Sequence, residues 1–227
     1  MPLAHAKGKP APDIAGLRAD QDMRCVAPLM RALMDQAKGV EPAKSDLAPL
    51  YDRLSAFVPE VGNDMIARYH VTIADMERVS KEDQAAANDA FAKDSKLAIV
   101  EMVEPCLTRL TAREVVRPVP TPGSCSALHG ISITSPITKS DIGNPTVLAT
   151  SMMPSMLDWM KWRNWAKKQL LAAGMSDAQA TKAIAAERVA LEAQEKRAAK
   201  GEYFVVRDLF GCNALMKATL PRPIPKP

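Results

Sequence analysis

The stretch GSCSALHG, residues 123–130, comes closest to a catalytic motif in this chain. Its cysteine lies two residues after a glycine, and a histidine follows four residues later. A thiolate at Cys125 with His129 as its base would suit a cysteine-dependent enzyme. However, Ala127 stands where a nucleophile elbow has its second glycine, and no apolar strand precedes the stretch. The sequence therefore favours a loop thiol beside a hydrogen-bonded histidine and predicts no catalytic residue.

Metal and cofactor sites have less support. The histidines His5, His70 and His129 do not pair with one another at ligand spacing. Cys125 and His129 together would supply only half of a tetrahedral zinc site. The glycines are spread singly along the chain, so no glycine-rich phosphate loop is present. The sequence predicts neither a bound metal nor another cofactor.

The cysteines Cys25, Cys106, Cys125 and Cys212 are far apart and form no CxxC pair. A disulfide framework is not expected in a chain this long and this poor in cysteine, so reduced thiols are predicted. The N-terminal segment lacks the apolar core of a signal peptide, and no run approaches about 18 apolar residues. The expected location is the cytoplasm or an assembled particle, with no transmembrane segment.

Three tryptophans, Trp159, Trp162 and Trp165, fall within seven residues of one predicted helix. At about 100° per residue they span roughly 120° of one face. The basic residues predicted on the opposite side, which form a weaker candidate for anion binding, are Lys161, Arg163, Lys167 and Lys168. The tryptophans could belong to the protein's own core, anchor a protein partner, or meet a membrane surface or a nucleic acid. A nucleic-acid stacking groove needs aromatic and basic side chains on the same face, so that interpretation is disfavoured.

Basic charge is concentrated in the last third of the chain. The net charge is +4, and residues 156–227 hold 13 Lys and Arg against 7 Asp and Glu. This excess permits an anionic partner without requiring one.

Composition and periodicity predict a mainly α fold, an irregular helical body with extended proline-rich arms and one or two short β-strands. Aromatic residues make up only 4% of the chain, which favours helix over an all-β architecture. Amphipathic spacing predicts helices over 25–38, 46–57, 63–79, 81–104, 155–173 and 177–200. Pro59 should end the second of these helices and Ser80 should cap the fourth. Gly174 should end the fifth, and Ser176 with Gln179 should cap the sixth. Strands are expected over 202–210 and within GISITSPITK, residues 130–139.

Five segments are expected along the chain. They are an extended N-terminal arm over 1–22, a helical domain over 23–114, an extended Pro/Ser/Thr-rich connector over 115–150, a C-terminal helical segment with a short strand over 151–216, and a proline-rich tail over 217–227.

The arms, the long connector and the missing catalytic constellation favour a non-enzymatic structural or assembly subunit of a multi-chain particle, such as a virion or phage-like assembly. Its partners would be copies of itself or other subunits. The predicted contact residues are Trp159, Trp162, Trp165, Pro221, Arg222, Pro223, Pro225 and Lys226. Two alternatives stay open: a nucleic-acid or anionic-surface binding protein that uses the basic C-terminal third, and a cysteine-dependent enzyme that uses Cys125 and His129.

Overall fold

The computed structural model describes residues 10–131, 153–201 and 203–219, without the side chains of 130, 131 and 153–158. This part of the chain is mainly helical, as predicted. This described part of the chain divides into unit 1, residues 10–115, 201 and 203–204, and unit 2, residues 116–131, 153–200 and 205–219. Its α-helices are α1 Ile14–Ala19, α2 Gln21–Lys38, α3 Ala43–Asp46, α4 Tyr51–Tyr69, α5 Ile73–Lys93, α6 Ser95–Ala98, α7 Glu104–Val116, α8 Pro122–Ile131, α9 Met153–Ala172, α10 Asp177–Ala198 and α11 Leu209–Thr219, and a π-helical turn at Ile99–Val103 joins α6 to α7.

Helix begins earlier than the predicted N-terminal arm allows. Asp13 accepts a hydrogen bond from the Gly16 N–H at 2.8 Å and caps α1. Asp20 accepts bonds from the N–H groups of Asp22 and Met23 and caps α2. Aspartate is a strong N-cap because its carboxylate satisfies N–H groups that have no partner within the helix. The prediction of an extended arm over 1–22 is therefore wrong from residue 14 onward, and residues 1–9 lie outside the described residues.

The boundary between α4 and α5 also differs from the prediction. Pro59 was expected to end a helix, but α4 continues through it to Tyr69. The chain turns at His70, and a capping box between Thr72 and Asp75 starts α5. Ser80, predicted as a cap, lies inside α5. An internal proline removes one backbone hydrogen bond, and the apolar face that α4 buries on both sides of it outweighs that loss.

Unit 1 has an aliphatic core between α2, α4, α5 and α7. The large side chains buried there include Leu29, Phe57, Met65 and Leu110. A disulfide joins Cys25 of α2 to Cys106 of α7, whose Cα atoms are 5.3 Å apart.

No β-strand forms in the described residues, so the strand predicted over 202–210 is wrong. Residues 203–208 are neither helix nor strand, and α11 begins at Leu209. The Phe204 N–H donates to Asn63 Oδ1, and Asn63 Nδ2 donates to the Phe204 carbonyl oxygen, both at 2.8 Å. A side-chain amide of α4 thus satisfies backbone groups that a neighbouring strand would otherwise pair. A second strand was predicted within 130–139. Residues 130 and 131 belong to α8, and residues 132–139 lie outside the described residues.

The predicted extended connector over 115–150 contains a helix, α8, which corrects that prediction for 122–131. The Ser124 N–H donates to Thr121 Oγ1 and the Thr121 N–H donates to Ser124 Oγ, each at 3.0 Å. Pro122 opens the helix, where its missing N–H costs no hydrogen bond. Residues 132–150 of the predicted connector lie outside the described residues.

Two boundary predictions in unit 2 are confirmed. Gly174 follows α9 in the left-handed region, with φ of 90°. Ser176 and Gln179 form the capping box of α10, in which Ser176 Oγ accepts from the Gln179 N–H and Gln179 Oε1 accepts from the Ser176 N–H. Both signals depend only on neighbouring residues.

Asp22 is the centre of an ion-pair network in unit 1. Arg113 contacts it at 2.6 Å and Arg109 at 3.0 Å. Burial by itself would raise the pKa of the Asp22 carboxyl, but the hydrogen bonds and charges of Arg113 and Arg109 outweigh burial and hold that pKa below its usual value.

Asp22→Asn is expected to lower the free energy of unfolding by about 1–3 kcal/mol at neutral pH. Because the folded-state pKa is lowered, the stabilisation is present above the unfolded pKa of about 3.9 and is lost as the pH falls through the folded-state value. Urea denaturation followed by circular dichroism at neutral pH and at pH values below 4 measures this difference. The control is Asp89→Asn, at an exposed position of α5. A penalty for Asp22→Asn that stays constant with pH would contradict this prediction.

Candidate anion-binding site

Three helices of unit 2 surround a cavity of about 220 Å³. On α9 the lining residues recur every four positions, which places them on one helix face. On α10 they recur at intervals of three and four, for the same reason. The lining residues are Ser126 and Ala127 of α8, Trp159, Arg163 and Lys167 of α9, and Thr181, Ile184, Ala185 and Arg188 of α10.

Among the residues that the structure describes, the charged groups that line this cavity are all cations. Arg163 lies over the Trp159 ring, with its guanidinium carbon 5.4 Å from the ring centroid. Lys167 Nζ is 2.7 Å from an Asp177 carboxylate oxygen, and Arg188 Nε is 2.9 Å from a Glu192 carboxylate oxygen. Neither carboxylate lines the cavity. Among the described side chains, three cations and two nearby carboxylates therefore leave one positive charge.

Ser126, another residue that lines the cavity, carries a buried hydroxyl. The residue is 1% exposed, and its Oγ atom has no hydrogen-bond partner among the residues that the structure describes. Burying a hydroxyl without a partner costs about 1–3 kcal/mol on the scale of protein mutations. A serine hydroxyl can donate one hydrogen bond, so an acceptor placed in the cavity would remove that cost.

The tryptophans are divided between the core and the cavity. Trp162 and Trp165 are buried, with ring centroids 5.3 Å apart in an edge-to-face arrangement. Trp162 also stacks on His129 at 4.1 Å, and Trp165 Nε1 donates to Thr219 Oγ1 at 2.8 Å. These two side chains therefore belong to the core of unit 2, one of the interpretations that the sequence left open.

Trp159 corrects the predicted separation of aromatic and basic faces. It shares a face with Arg163 and Lys167, because four-residue steps along a helix return nearly to the same direction. Lys161 and Lys168 are exposed and do not line the cavity. The structure thus brings together two of the four predicted anion-binding residues.

The remaining lining residues were missed by the sequence analysis. Thr181 and Arg188 are seven positions apart, which indicates a common face of α10. No local signal, however, shows that this face meets Ser126.

The predicted contact residues of the C-terminal tail lie outside the described residues: Pro221, Arg222, Pro223, Pro225 and Lys226.

Cys125 is not a free thiol. It is fully buried and forms a disulfide with Cys212 of α11, whose Cα atom is 5.5 Å away. A thiolate is the form of cysteine that acts as nucleophile or metal ligand, and the disulfide removes it. The enzyme hypothesis thereby loses its nucleophile. With Cys25 paired to Cys106, the prediction of reduced thiols is wrong for all four cysteines.

Unit 1 holds a larger cavity of about 430 Å³ with mostly aliphatic walls, among them Val26, Val61 and Met76. Its polar lining residues are exposed or half-buried, and Lys81 and Glu77 bring opposite charges to it. None of its described polar lining groups is buried without a hydrogen-bond partner. The unit 2 cavity therefore has the more specific chemistry.

Comparison of the chain with protein-family models, with curated proteins and with solved structures finds no match. Within the described residues, no group of three or more His, Cys, Asp and Glu side chains is arranged to hold a metal ion. No helix in that part of the chain has the length and apolar character needed to cross a membrane.

Proposed function

We propose that this chain is a non-enzymatic binding protein that holds a small anionic ligand in the unit 2 cavity. The observation that carries this proposal is the buried Ser126 hydroxyl, which has no partner among the described residues and belongs to a residue that lines a cavity whose described charged lining groups are all cations. An anion there would accept a hydrogen bond from Ser126 and compensate the remaining positive charge.

A solvated basic helix face is the main alternative explanation. Lysines and arginines on a helix surface usually need no ligand, and the exposed Lys161 and Lys168 fit that description. Solvation of the cations does not account for Ser126, because its side chain is buried and its hydroxyl has no hydrogen-bond partner among the described residues. The proposal therefore depends on Ser126, and a substitution there is its sharpest test.

Ser126→Ala is expected to raise the free energy of unfolding of the ligand-free protein by about 1–2 kcal/mol, because it removes an unpaired buried hydroxyl. The same substitution is expected to weaken anion binding about tenfold, since one hydrogen bond to the ligand is lost. Denaturation followed by tryptophan fluorescence measures the first effect, and calorimetric titration with acetate, inorganic phosphate and benzoate measures the second.

Ser124→Ala is the matched control on the same helix. Ser124 is hydrogen-bonded within the α8 cap, so its loss should lower stability and leave anion affinity unchanged. If Ser126→Ala also lowered stability and left affinity unchanged, Ser126 would have a packing role and the proposal would fail.

We also propose that the protein works in an oxidising compartment rather than in the cytoplasm. Disulfides persist in secreted and periplasmic proteins and are rare where glutathione and thioredoxin keep thiols reduced. Each unit contains one disulfide, and both are buried. Titration of thiols in the denatured, unreduced protein from its natural source should detect none. Four titratable thiols would contradict the proposed compartment.

Assembly into a larger particle remains a second proposal. Two exposed valines of unit 2 favour it, because exposed apolar side chains often take part in protein interfaces. Val116 and Val119 are 79% and 77% exposed. Light scattering after size exclusion should then show a discrete oligomer, and a monomer at every concentration would reject self-assembly. Nucleic-acid binding through the basic C-terminal third also remains a prediction, and it requires a strongly salt-dependent affinity.

A further inference from the structure

We infer that the ligand of the unit 2 cavity is a single-ring aromatic carboxylate, an inference that rests on the proposed binding function. The size of the cavity, the chemistry of its walls and its residual charge each restrict the ligand class.

The volume restricts the size of the ligand. The cavity holds about 220 Å³. An apolar cavity of roughly 150 Å³ accommodates benzene, and sites for drug-sized molecules begin at about 300 Å³. One six-membered ring with a small charged group therefore suits the available space. A nucleotide or a long acyl chain is too large.

The walls favour a ring over a bare inorganic anion. The Trp159 ring, Ile184, Ala127 and Ala185 present carbon to the cavity. An inorganic ion gains nothing from such walls and loses its hydration there. An aromatic ring packs against the aliphatic side chains and against the Trp159 indole in an offset or edge-to-face arrangement.

The residual charge favours a carboxylate. Arg163 makes no ion pair with another described residue, whereas Lys167 and Arg188 each have a carboxylate partner. One uncompensated cation matches the single charge of a carboxylate better than the charge of about −1.5 to −2 on a phosphate monoester. The guanidinium fork of Arg163 and the Ser126 and Thr181 hydroxyls supply donors that fit carboxylate oxygens.

Calorimetric titration of the full-length, oxidised protein tests the inference. The probes are benzoate, acetate, benzamide, phenyl phosphate and inorganic phosphate. Acetate keeps the charge without the ring, and benzamide keeps the ring without the charge. Benzoate is expected to bind at least tenfold more tightly than acetate, benzamide or phenyl phosphate.

Each opposing outcome has a distinct meaning. If acetate or inorganic phosphate bound as tightly as benzoate, the aromatic ligand would be overturned while anion binding stood. If phenyl phosphate bound more tightly, the carboxylate would be overturned. If no anion bound, the inference and the proposed function would both fail. Benzamide matching benzoate would likewise reject both, because the cations would then contribute nothing.

A substitution at Trp159 tests whether the aromatic ring of the ligand packs against this side chain. Trp159→Leu is expected to reduce benzoate affinity about tenfold and to change acetate affinity less than twofold, because only benzoate contacts the indole. The matched control is Met160→Leu, at the neighbouring exposed position of α9, which should leave both affinities unchanged. Equal loss of acetate and benzoate affinity in Trp159→Leu would contradict a ring against Trp159.

Discussion

Replacement of both Cys125 and Cys212 by alanine is expected to lower the free energy of unfolding of unit 2 by about 4 kcal/mol. The two cysteines are 87 positions apart. Cross-linking restricts the unfolded chain, and the chain-entropy estimate is about 4.7 kcal/mol for a loop of roughly 100 residues. Anion affinity should fall as well, because Cys125 precedes Ser126 in α8 and the disulfide ties that helix to α11.

The distribution of aromatic residues gives a selective measurement of this loss. All three tryptophans lie in unit 2, and the three tyrosines, Tyr51, Tyr69 and Tyr203, lie in unit 1. Tryptophan fluorescence during urea denaturation therefore reports on the unfolding of unit 2, and the loss of stability should appear as a lower denaturation midpoint.

The disulfide of unit 1 offers a matched control. Cys25 and Cys106 are 81 positions apart, so their replacement by alanine removes a cross-link of nearly the same span. That loss is expected in the tyrosine signal, because both cysteines belong to unit 1. A tryptophan midpoint unchanged by Cys125→Ala with Cys212→Ala would contradict the stabilising role of that disulfide.

Combined substitution of Arg163 and Arg188 by glutamine is expected to reduce benzoate affinity at least 100-fold. Arg163→Gln removes the charged donor assigned to the ligand, and a hydrogen bond to a charged group contributes about 1.5–3 kcal/mol. Arg188→Gln leaves the Glu192 carboxylate without its cation near the cavity, which disfavours an anion further. Both side chains reach solvent, so the free energy of unfolding should change by less than about 1 kcal/mol. Calorimetric titration measures the affinity, and tryptophan-monitored denaturation measures the stability.

Lys161→Gln combined with Lys168→Gln is the control for this pair. It removes the same net charge from the surface of α9, at positions that do not line the cavity. Benzoate affinity should change less than threefold, since exposed charges are screened by salt over about 10 Å at 0.1 M. An equal loss of affinity in both double variants would indicate a general effect of net charge and would contradict a localised site.

Oxidation and binding are connected through α8. Cys125 anchors the helix, Ser126 and Ala127 line the cavity, and His129 stacks on Trp162 in the core. The stretch that most resembled a nucleophile motif therefore acts, in this structure, as a wall of the candidate site. Its cysteine fixes the helix, and the serine beside it supplies the unpaired donor.

Local chemistry was sufficient to predict the helical fold and several of its boundaries. The low aromatic content of the chain favours helix. Amphipathic spacing and the cap formed by Ser176 and Gln179 depend only on residues within one or two helical turns of each other. Arg163 and Lys167 were recognised as candidates because helical spacing groups them with the basic residues on one side of α9. Hydrogen bonds and steric preferences between near neighbours act in almost any tertiary context.

Interactions between distant residues determined the remaining features. Pro59 is retained inside α4 by the core around it, and Asn63 pairs with the backbone of Phe204 where a strand was expected. Four cysteines permit three pairings, and spacing alone does not choose among them. The cavity likewise depends on Ser126 meeting residues of two other helices. Such contacts follow from the packing of whole helices, so the sequence contained the residues of the site without showing that they meet.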